Sequence, residues 1–238
     1  MSARFEELGW DTTPIGEVSL RRRREPVTGS DVYEVKLGDE FLMSSQFTFA
    51  EEEMARLALA RLPETELLVV VGGLGLGYTA RAVLDDDRVV ELVVVEALEP
   101  VISWHQAELV PLGPTLTGDP RCRIARGDFF ALADSGGFDL AEGAALADAI
   151  LVDIDHSPQH LLAGASSGFY RPEGTRALAA HLRPGGVYAL WSNDPPDESY
   201  VEILRSVFDD VAAEVVEFPN PLQNRVSTNT VYLATRRG

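Results

Sequence analysis

Two textures of hydrophobic spacing meet near residue 50. Before it, apolar and polar positions alternate in short runs: Glu17-Val18-Ser19-Leu20, Val32-Tyr33-Glu34-Val35-Lys36-Leu37 and Phe41-Leu42-Met43. A period of two is the signature of a half-buried strand. Gly38-Asp39, between the last two runs, is a hairpin-turn dipeptide. Residues 1–50 are therefore predicted to form a small β-strand/hairpin domain. The basic run at residues 21–24 reads as protection of an exposed strand edge against strand addition.

From residue 51 to 238 the pattern is that of one α/β domain. Thr48-Phe49-Ala50-Glu51 has capping-box spacing, with Met54, Leu57 and Leu59 behind it. Apolar runs follow at 67–71, 92–95, 123–125, 149–152 and 187–191. Such runs imply strands buried on both faces, hence a mostly parallel sheet covered by helices. Helical patterns fit around 77–85, 99–110, 172–182 and 198–208. Arg183-Pro184-Gly185-Gly186 is a helix stop with a basic residue at the C-terminus. Residues 211–218 and 230–234 are two strand-like runs without a helix between them, which predicts an antiparallel pair at the sheet edge.

Composition narrows the function. With 238 residues, 45% of them hydrophobic, the chain can bury one sizeable core plus a small appendage. Its 38 acidic and 20 basic side chains set a net charge of -18, which repels phosphate backbones and anionic lipid. Neither nucleic acid nor membrane is an expected partner, whereas a cationic small molecule would be attracted. Cys122 is the only cysteine, so no intrachain disulfide is possible. No run approaches 18 apolar residues, and acids stand where a signal peptide needs an apolar stretch. The expected location is cytoplasmic, and no metal site is predicted.

The first strand of the α/β domain runs into Gly72-Gly73-Leu74-Gly75-Leu76-Gly77. A strand's carboxyl end feeding a helix is where open α/β sheets bind ligands. Gly72, Gly73, Gly75 and Gly77 let the backbone turn tightly and approach a ligand. The next strand ends at Glu96, nineteen residues past Gly77, where a carboxylate can accept bonds from both ribose hydroxyls. Ala97 follows it into the same site. After the third strand, Asp128 is placed to accept from an adenine amino group, with Phe129 beside the base. Gly75-Leu76-Gly77-Tyr78-Thr79-Ala80 also fits the G-x-G-x-x-A pattern of NAD-binding proteins. Acids at the ends of successive strands and an antiparallel finish to the sheet weigh instead for an adenosyl ligand.

The fourth strand ends in Asp153-Ile154-Asp155-His156. Asp153 and Asp155 point the same way if the extended form persists, and paired acids raise each other's pKa. Asp153, Asp155 and His156 are the catalytic candidates, as bases that hold or deprotonate a cationic nucleophile. Trp191, Asn193 and Asp194 at the end of the fifth strand, with Tyr170 and Gln223, are candidates for an acceptor pocket. For Trp191 the alternative is a core aromatic capping the sheet.

Over roughly residues 31–235 this arrangement resembles the spermidine synthase (polyamine aminopropyltransferase) family of class I AdoMet-dependent transferases, whose Rossmann-like sheet is mostly parallel with an antiparallel C-terminal edge strand. The likeness rests on the glycine loop, Glu96, Gly127-Asp128-Phe129 and Asp153, with Phe169-Tyr170 and Leu182-Arg183-Pro184-Gly185-Gly186-Val187 in support. It implies that Glu96 holds the ribose, Asp128 contacts adenine and Asp153 helps deprotonate the attacking amine. It also implies S-adenosylmethionine or decarboxylated S-adenosylmethionine as cosubstrate, a small-molecule acceptor, and a homodimer or homotetramer.

Two departures bear on the reaction. The family loop reads Gly-Gly-Gly-Asp-Gly-Gly, its aspartate helping to bind the aminopropyl ammonium, and Gly75 stands at that position here. The family has a Ser-Tyr-Gln-Glu-Met-like segment whose Tyr and Gln line the diamine site, and this chain has Phe47-Thr48-Phe49-Ala50-Glu51-Glu52-Glu53-Met54, with neither residue. The expectation is a spermidine synthase-like transferase with methyl transfer to a small-molecule acceptor favoured. The alternative is an aminopropyltransferase whose diamine contacts are rebuilt from Glu51, Glu52, Asp155 or His156. A further alternative is a non-catalytic nucleotide-binding protein.

Overall fold

The structure, a computed structural model, describes residues 5–26, 28–63, 65–140, 146–162, 164–220 and 225–238. Gln223 lies outside the described residues. Strands β1 (Phe5–Thr13), β2 (Gly16–Arg24), β3 (Asp31–Leu37) and β4 (Glu40–Ser44) form an antiparallel sheet in that order. The first strand, rich in acids, has no clean alternation that would have predicted it. Its presence places the basic run on an interior strand, which corrects the expected edge role. Arg22 stands opposite Glu6 on β1 and pairs with it, while Arg23 Nε donates to Glu34 on β3 at 2.7 Å. The acids of the neighbouring strands neutralise the run, so it sits inside the sheet.

The second sheet has seven strands: β5 (Leu67–Gly72), β6 (Val89–Glu96), β7 (Cys122–Arg126), β8 (Ala147–Val152), β9 (Leu182–Ser192), β10 (Asp209–Asn220) and β11 (Arg225–Thr235). Their spatial order is β10-β11-β9-β8-β5-β6-β7, with β5 to β9 parallel and β11 antiparallel to both its neighbours. The antiparallel strand thus lies one place in from the rim. Residues 231–234 of β11 are all buried, whereas β10 is exposed along much of its length, so the polar strand takes the edge.

Alternation sends successive residues of one strand to opposite faces. Val69 and Val71 pack on one side with α1 (Phe49–Leu59), α2 (Tyr78–Leu84), α3 (Glu99–Gln106) and α4 (Gly113–Gly118). Val70, Ile150 and Val152 pack on the other with α5 (Phe129–Ala131), α6 (Pro172–Ala179) and α7 (Glu198–Arg205). Val18, Leu20 and Val35 of the first sheet join the first of these cores, alongside Ala50, Met54 and Ala58 of α1. That contact brings the small sheet over the carboxyl ends of the parallel strands.

Two local expectations are corrected. The capping box does not form: the Thr48 hydroxyl donates to Glu52 at 2.8 Å and makes no cap bond, while Glu51 turns inward. The glycine pair after α6 is not the helix stop either, because α6 ends at Ala179. Residues 182–186 form instead a bulged entry to β9, with Gly185 at φ +79° and Arg183 paired at 2.9 Å with the buried Asp148. The lone thiol, Cys122, is half-buried on β7 and pushed up to about 12 by burial, which leaves it inert. Among the described residues no helix is long and apolar enough to cross a membrane.

Candidate functional site

The strand order reverses at β5, and a cavity of about 690 Å³ opens at the carboxyl ends of the strands there. Its floor is the glycine loop. Gly73 has φ +93°, and a Cβ on it would collide with the Asp153 carbonyl oxygen. Only glycine lets β5 and β8 close up at this point. Gly75 has φ +47°, and a Cβ there would lie 2.6 Å from the Met43 sulfur. Methionine from β4 thus fills the space an aspartate at this position would need. Gly73 and Gly75 line the cavity. Gly72 and Gly77 serve packing, beneath the Phe129 ring and against Leu116 respectively.

The loop is braced from two sides. Glu96, at the end of β6, is buried, and its carboxylate accepts from Leu74 N–H at 3.0 Å and Leu98 N–H at 2.8 Å. Burial raises its pKa, and those backbone donors oppose the rise. Glu96 and Ala97 both face the cavity. From behind, the fully buried His105 on α3 lies with Nε2 3.0 Å from the Gly75 carbonyl oxygen. Burial lowers its pKa, so the neutral ring donates from Nε2, and Nδ1 has no partner among the described residues. Sequence carried no signal for Met43 or His105, because both reach the loop only through tertiary packing.

Asp128 caps α5, one oxygen accepting from Phe130 N–H at 2.9 Å and Ala131 N–H at 3.3 Å. It is otherwise exposed on the cavity wall, with its second oxygen available to a ligand donor. Phe129 is buried beside it, stacked on Phe138 at 5.2 Å.

The expectation for Asp153 and Asp155 depended on the extended form persisting past the strand, and it does not persist. Strand β8 ends at Val152 and the chain bends, so the two carboxylates go to different partners. Asp153 accepts from the Thr79 hydroxyl of α2 at 2.6 Å, and burial pushes its carboxyl up to about 6. Asp155 is buried in a knot, accepting from Leu162 N–H at 2.7 Å and the Tyr170 hydroxyl at 2.8 Å. Burial raises its pKa as well, and those donors oppose it. Asp153, Asp155 and His156 all contribute to the cavity wall, with His156 Nε2 3.1 Å from Glu40 of β4.

The carboxylate that does approach Asp153 comes from α1. Glu51 is 8% exposed, faces the cavity, and is pushed up to about 8, first by burial and then by the charge of Asp153. Glu52 points to solvent. Trp191 lies on the cavity wall with its indole N–H buried and without a hydrogen-bond partner among the described residues. Asn193 is set apart in a neighbouring cavity, and Tyr170 does not reach the cavity wall at all, its ring being packed among Phe130, Phe169 and Tyr200. Among the described residues no group of three or more His, Cys, Asp or Glu side chains is placed to hold a metal ion.

No protein-family model matches the sequence. Solved structures do match. A spermidine synthase in complex with the transition-state analogue AdoDATO superposes with a TM-score of 0.74 at 17% identity, covering 96% of this chain and 73% of that one. The spermidine synthase from Thermotoga maritima gives 0.71 at 16% identity, over 96% and 72% of the two chains. A probable spermidine synthase from Corynebacterium glutamicum ATCC 13032 gives 0.66 at 19%, over 95% and 79%. At these identities the likeness is one of fold: the chain shares the fold of solved spermidine synthases, and its mostly parallel seven-stranded sheet with a separate small antiparallel sheet is that of a class I AdoMet-transferase.

Proposed function

We propose that this protein is a transferase that moves an alkyl group from the sulfonium of an S-adenosyl cosubstrate to an amine, with aminopropyl transfer from decarboxylated S-adenosylmethionine as the reaction its cavity fits best. The observation that carries this reading is the charge of the cavity wall. Glu51, Glu96, Asp128, Asp134, Asp153, Asp155 and Glu173 line it, and no lysine or arginine does among the described residues. A ligand carboxylate would enter such a wall without a cationic partner, whereas an ammonium and a sulfonium are both welcome there. This charge argument reverses the preference for methyl transfer drawn from sequence. The methyl reading keeps one point in its favour: Met43 fills the space beside Gly75, so no acid waits there for an aminopropyl ammonium.

The glycine cradle fits an adenosyl group: Gly73 and Gly75 leave the backbone open, Glu96 sets a carboxylate beside the loop where the ribose would lie, and Asp128 offers an oxygen for the adenine amino group. The cosubstrate supplies an electrophilic carbon activated by the sulfonium, so the protein has only to position and deprotonate the nucleophile. Asp153 is the base in this scheme. With its carboxyl at about 6 it is ionised at neutral pH and still basic enough to take a proton from an ammonium held against it. The neutral nitrogen then forms its bond to carbon as the carbon–sulfur bond breaks. The electron pair stays with sulfur, and the positive charge passes to nitrogen.

Calorimetry with decarboxylated S-adenosylmethionine, S-adenosylmethionine and S-adenosylhomocysteine tests the reading. The decarboxylated form is expected to bind at least about tenfold tighter than the other two, about 1.4 kcal/mol. Tighter binding of S-adenosylmethionine would return the assignment to methyl transfer, and binding of none of the three would refute the nucleotide site.

A further inference from the structure

Glycine loops are soft. Gly73, Gly75 and Gly77 all take positive φ, at +93°, +47° and +93°, and each glycine adds conformations that an ordered loop must give up. A ligand that had to order the loop on arrival would lose affinity by that amount. This loop is already held, and by side chains. Glu96 accepts from Leu74 N–H at 3.0 Å. The peptide between Gly75 and Leu76 is gripped at both ends. His105 Nε2 lies 3.0 Å from the Gly75 carbonyl oxygen, and Leu76 N–H donates to the Met43 sulfur. In a trans peptide these two groups point in opposite directions, so α3 holds the peptide from one side and β4 from the other.

Of the two grips, the histidine is the stronger. A thioether is a weak acceptor, whereas an imidazole N–H on a carbonyl oxygen is an ordinary hydrogen bond. The ring has no room to turn elsewhere. His105 is 0% exposed, and a Cβ on Gly77 would lie 3.1 Å from its Cε1. A Cβ on Gly113 would lie 2.6 Å from the His105 carbonyl oxygen, so α4 fixes the backbone that carries the ring. The other ring nitrogen, Nδ1, has no partner among the described residues. A buried nitrogen without a partner costs free energy that a leucine of similar size would avoid. Filling space is therefore not what sets this imidazole apart. Its bond to Gly75 is the one thing an apolar side chain could not supply.

Building on the transferase reading, we infer that His105 is a positioning residue for the cosubstrate: it stands behind the cavity wall, and its hydrogen bond fixes the Gly75 peptide so that the loop is ordered before the nucleotide arrives. Gly73, Gly75 and Glu96 line the cavity, whereas His105 acts on it only through Gly75. Without the donor, the Gly75 carbonyl would be left unpaired beneath the loop. The peptide would then be free to turn over, since glycine tolerates φ of either sign. A turned peptide would swing its carbonyl toward Met43, on the cavity side, and take the Leu76 N–H off the sulfur. The affinity lost is the ordering that the ligand must then supply itself.

Three substitutions separate this role from packing. His105→Leu keeps most of the volume and removes the donor. His105→Gln keeps an N–H donor at the reach of Nε2, and His105→Asn carries the same amide one methylene short of it. Calorimetry on the full chain, with 5′-methylthioadenosine and with decarboxylated S-adenosylmethionine, reads the affinities. Binding is expected to weaken about tenfold in His105→Leu and His105→Asn and to stay within about threefold of wild type in His105→Gln. Hydrogen exchange of the ligand-free protein, followed by mass spectrometry, should show residues 73–77 exchanging about tenfold faster in His105→Leu and His105→Asn alone. If His105→Leu does not fold, the other two variants carry the same comparison. Equal affinities in all variants, a loss in His105→Gln as large as in His105→Asn, or loop exchange unmoved by any of them would each overturn the inference. Failure of the transferase reading shows separately, as a wild-type protein that binds neither nucleotide while loop exchange still follows the reach of the side chain.

Discussion

Glu51→Gln isolates the electrostatic cost of the acid pair at the cavity wall. The folded protein holds the Glu51 carboxyl at about 8 against an ordinary 4.5, first through burial and then through the charge of Asp153. A carboxyl raised in this way binds more protons folded than unfolded, so its contribution to stability is fully present below the unfolded value and is lost as pH rises through the folded one. The window runs from 4.5 to about 8. At 1.36 kcal/mol per pKa unit the ceiling is about 5 kcal/mol. Glutamine matches the protonated acid in size and neutrality, so the variant should melt with the wild type at about pH 5 and above it at about pH 9. For a chain of 238 residues each kcal/mol moves Tm by about 2–4 °C, which makes a gain of up to about 10–20 °C by pH 9 the expected result. The burial of Asp153 is common to both proteins and cancels in the difference. Thermal melts followed by circular dichroism across this range read the effect. A difference between variant and wild type that stays flat from pH 5 to 9 would refute the reasoning, because it would mean that Glu51 ionises as freely folded as unfolded.

Two further substitutions test the remaining roles. Asp153→Asn keeps an oxygen to accept from the Thr79 hydroxyl, 2.6 Å away in the parent protein, but cannot take a proton. Turnover should fall by about 10²–10⁴-fold with cosubstrate affinity little changed, and unchanged turnover would remove Asp153 from the base role. Tyr170→Phe withdraws the donor 2.8 Å from the buried Asp155. It should lower stability by about 1–3 kcal/mol in denaturant melts and leave cosubstrate affinity alone. Lost affinity without lost stability would place Tyr170 in the site after all.

What could be read along the chain was whatever repeats locally. The change from period-two runs to buried apolar runs near residue 50 marks the passage from the antiparallel sheet to the parallel one, because strand burial imposes its pattern on consecutive residues. The glycine loop, Glu96, Asp128 and Asp153 were legible for a similar reason: each stands at or just beyond the end of a strand, and parallel topology carries such positions to one rim of the sheet. Tertiary packing decided the rest. Tyr170 read as a site residue, yet its hydroxyl donates to the buried Asp155 and its ring packs away from the cavity wall. Glu51 read first as a helix-capping residue, yet the docking of the small sheet and α1 over the loop turns it onto the cavity wall and gives it a carboxyl neighbour 102 positions away in the chain. Met43 and His105 carry no motif, and both reach the Gly75 position only in the folded chain. Local pattern therefore determined the elements and the rim on which the ligands meet. The pairing of Glu51 with Asp153 on the cavity wall and the filling of the space beside Gly75 came from contacts between residues far apart in sequence, to which hydrophobic periodicity is blind.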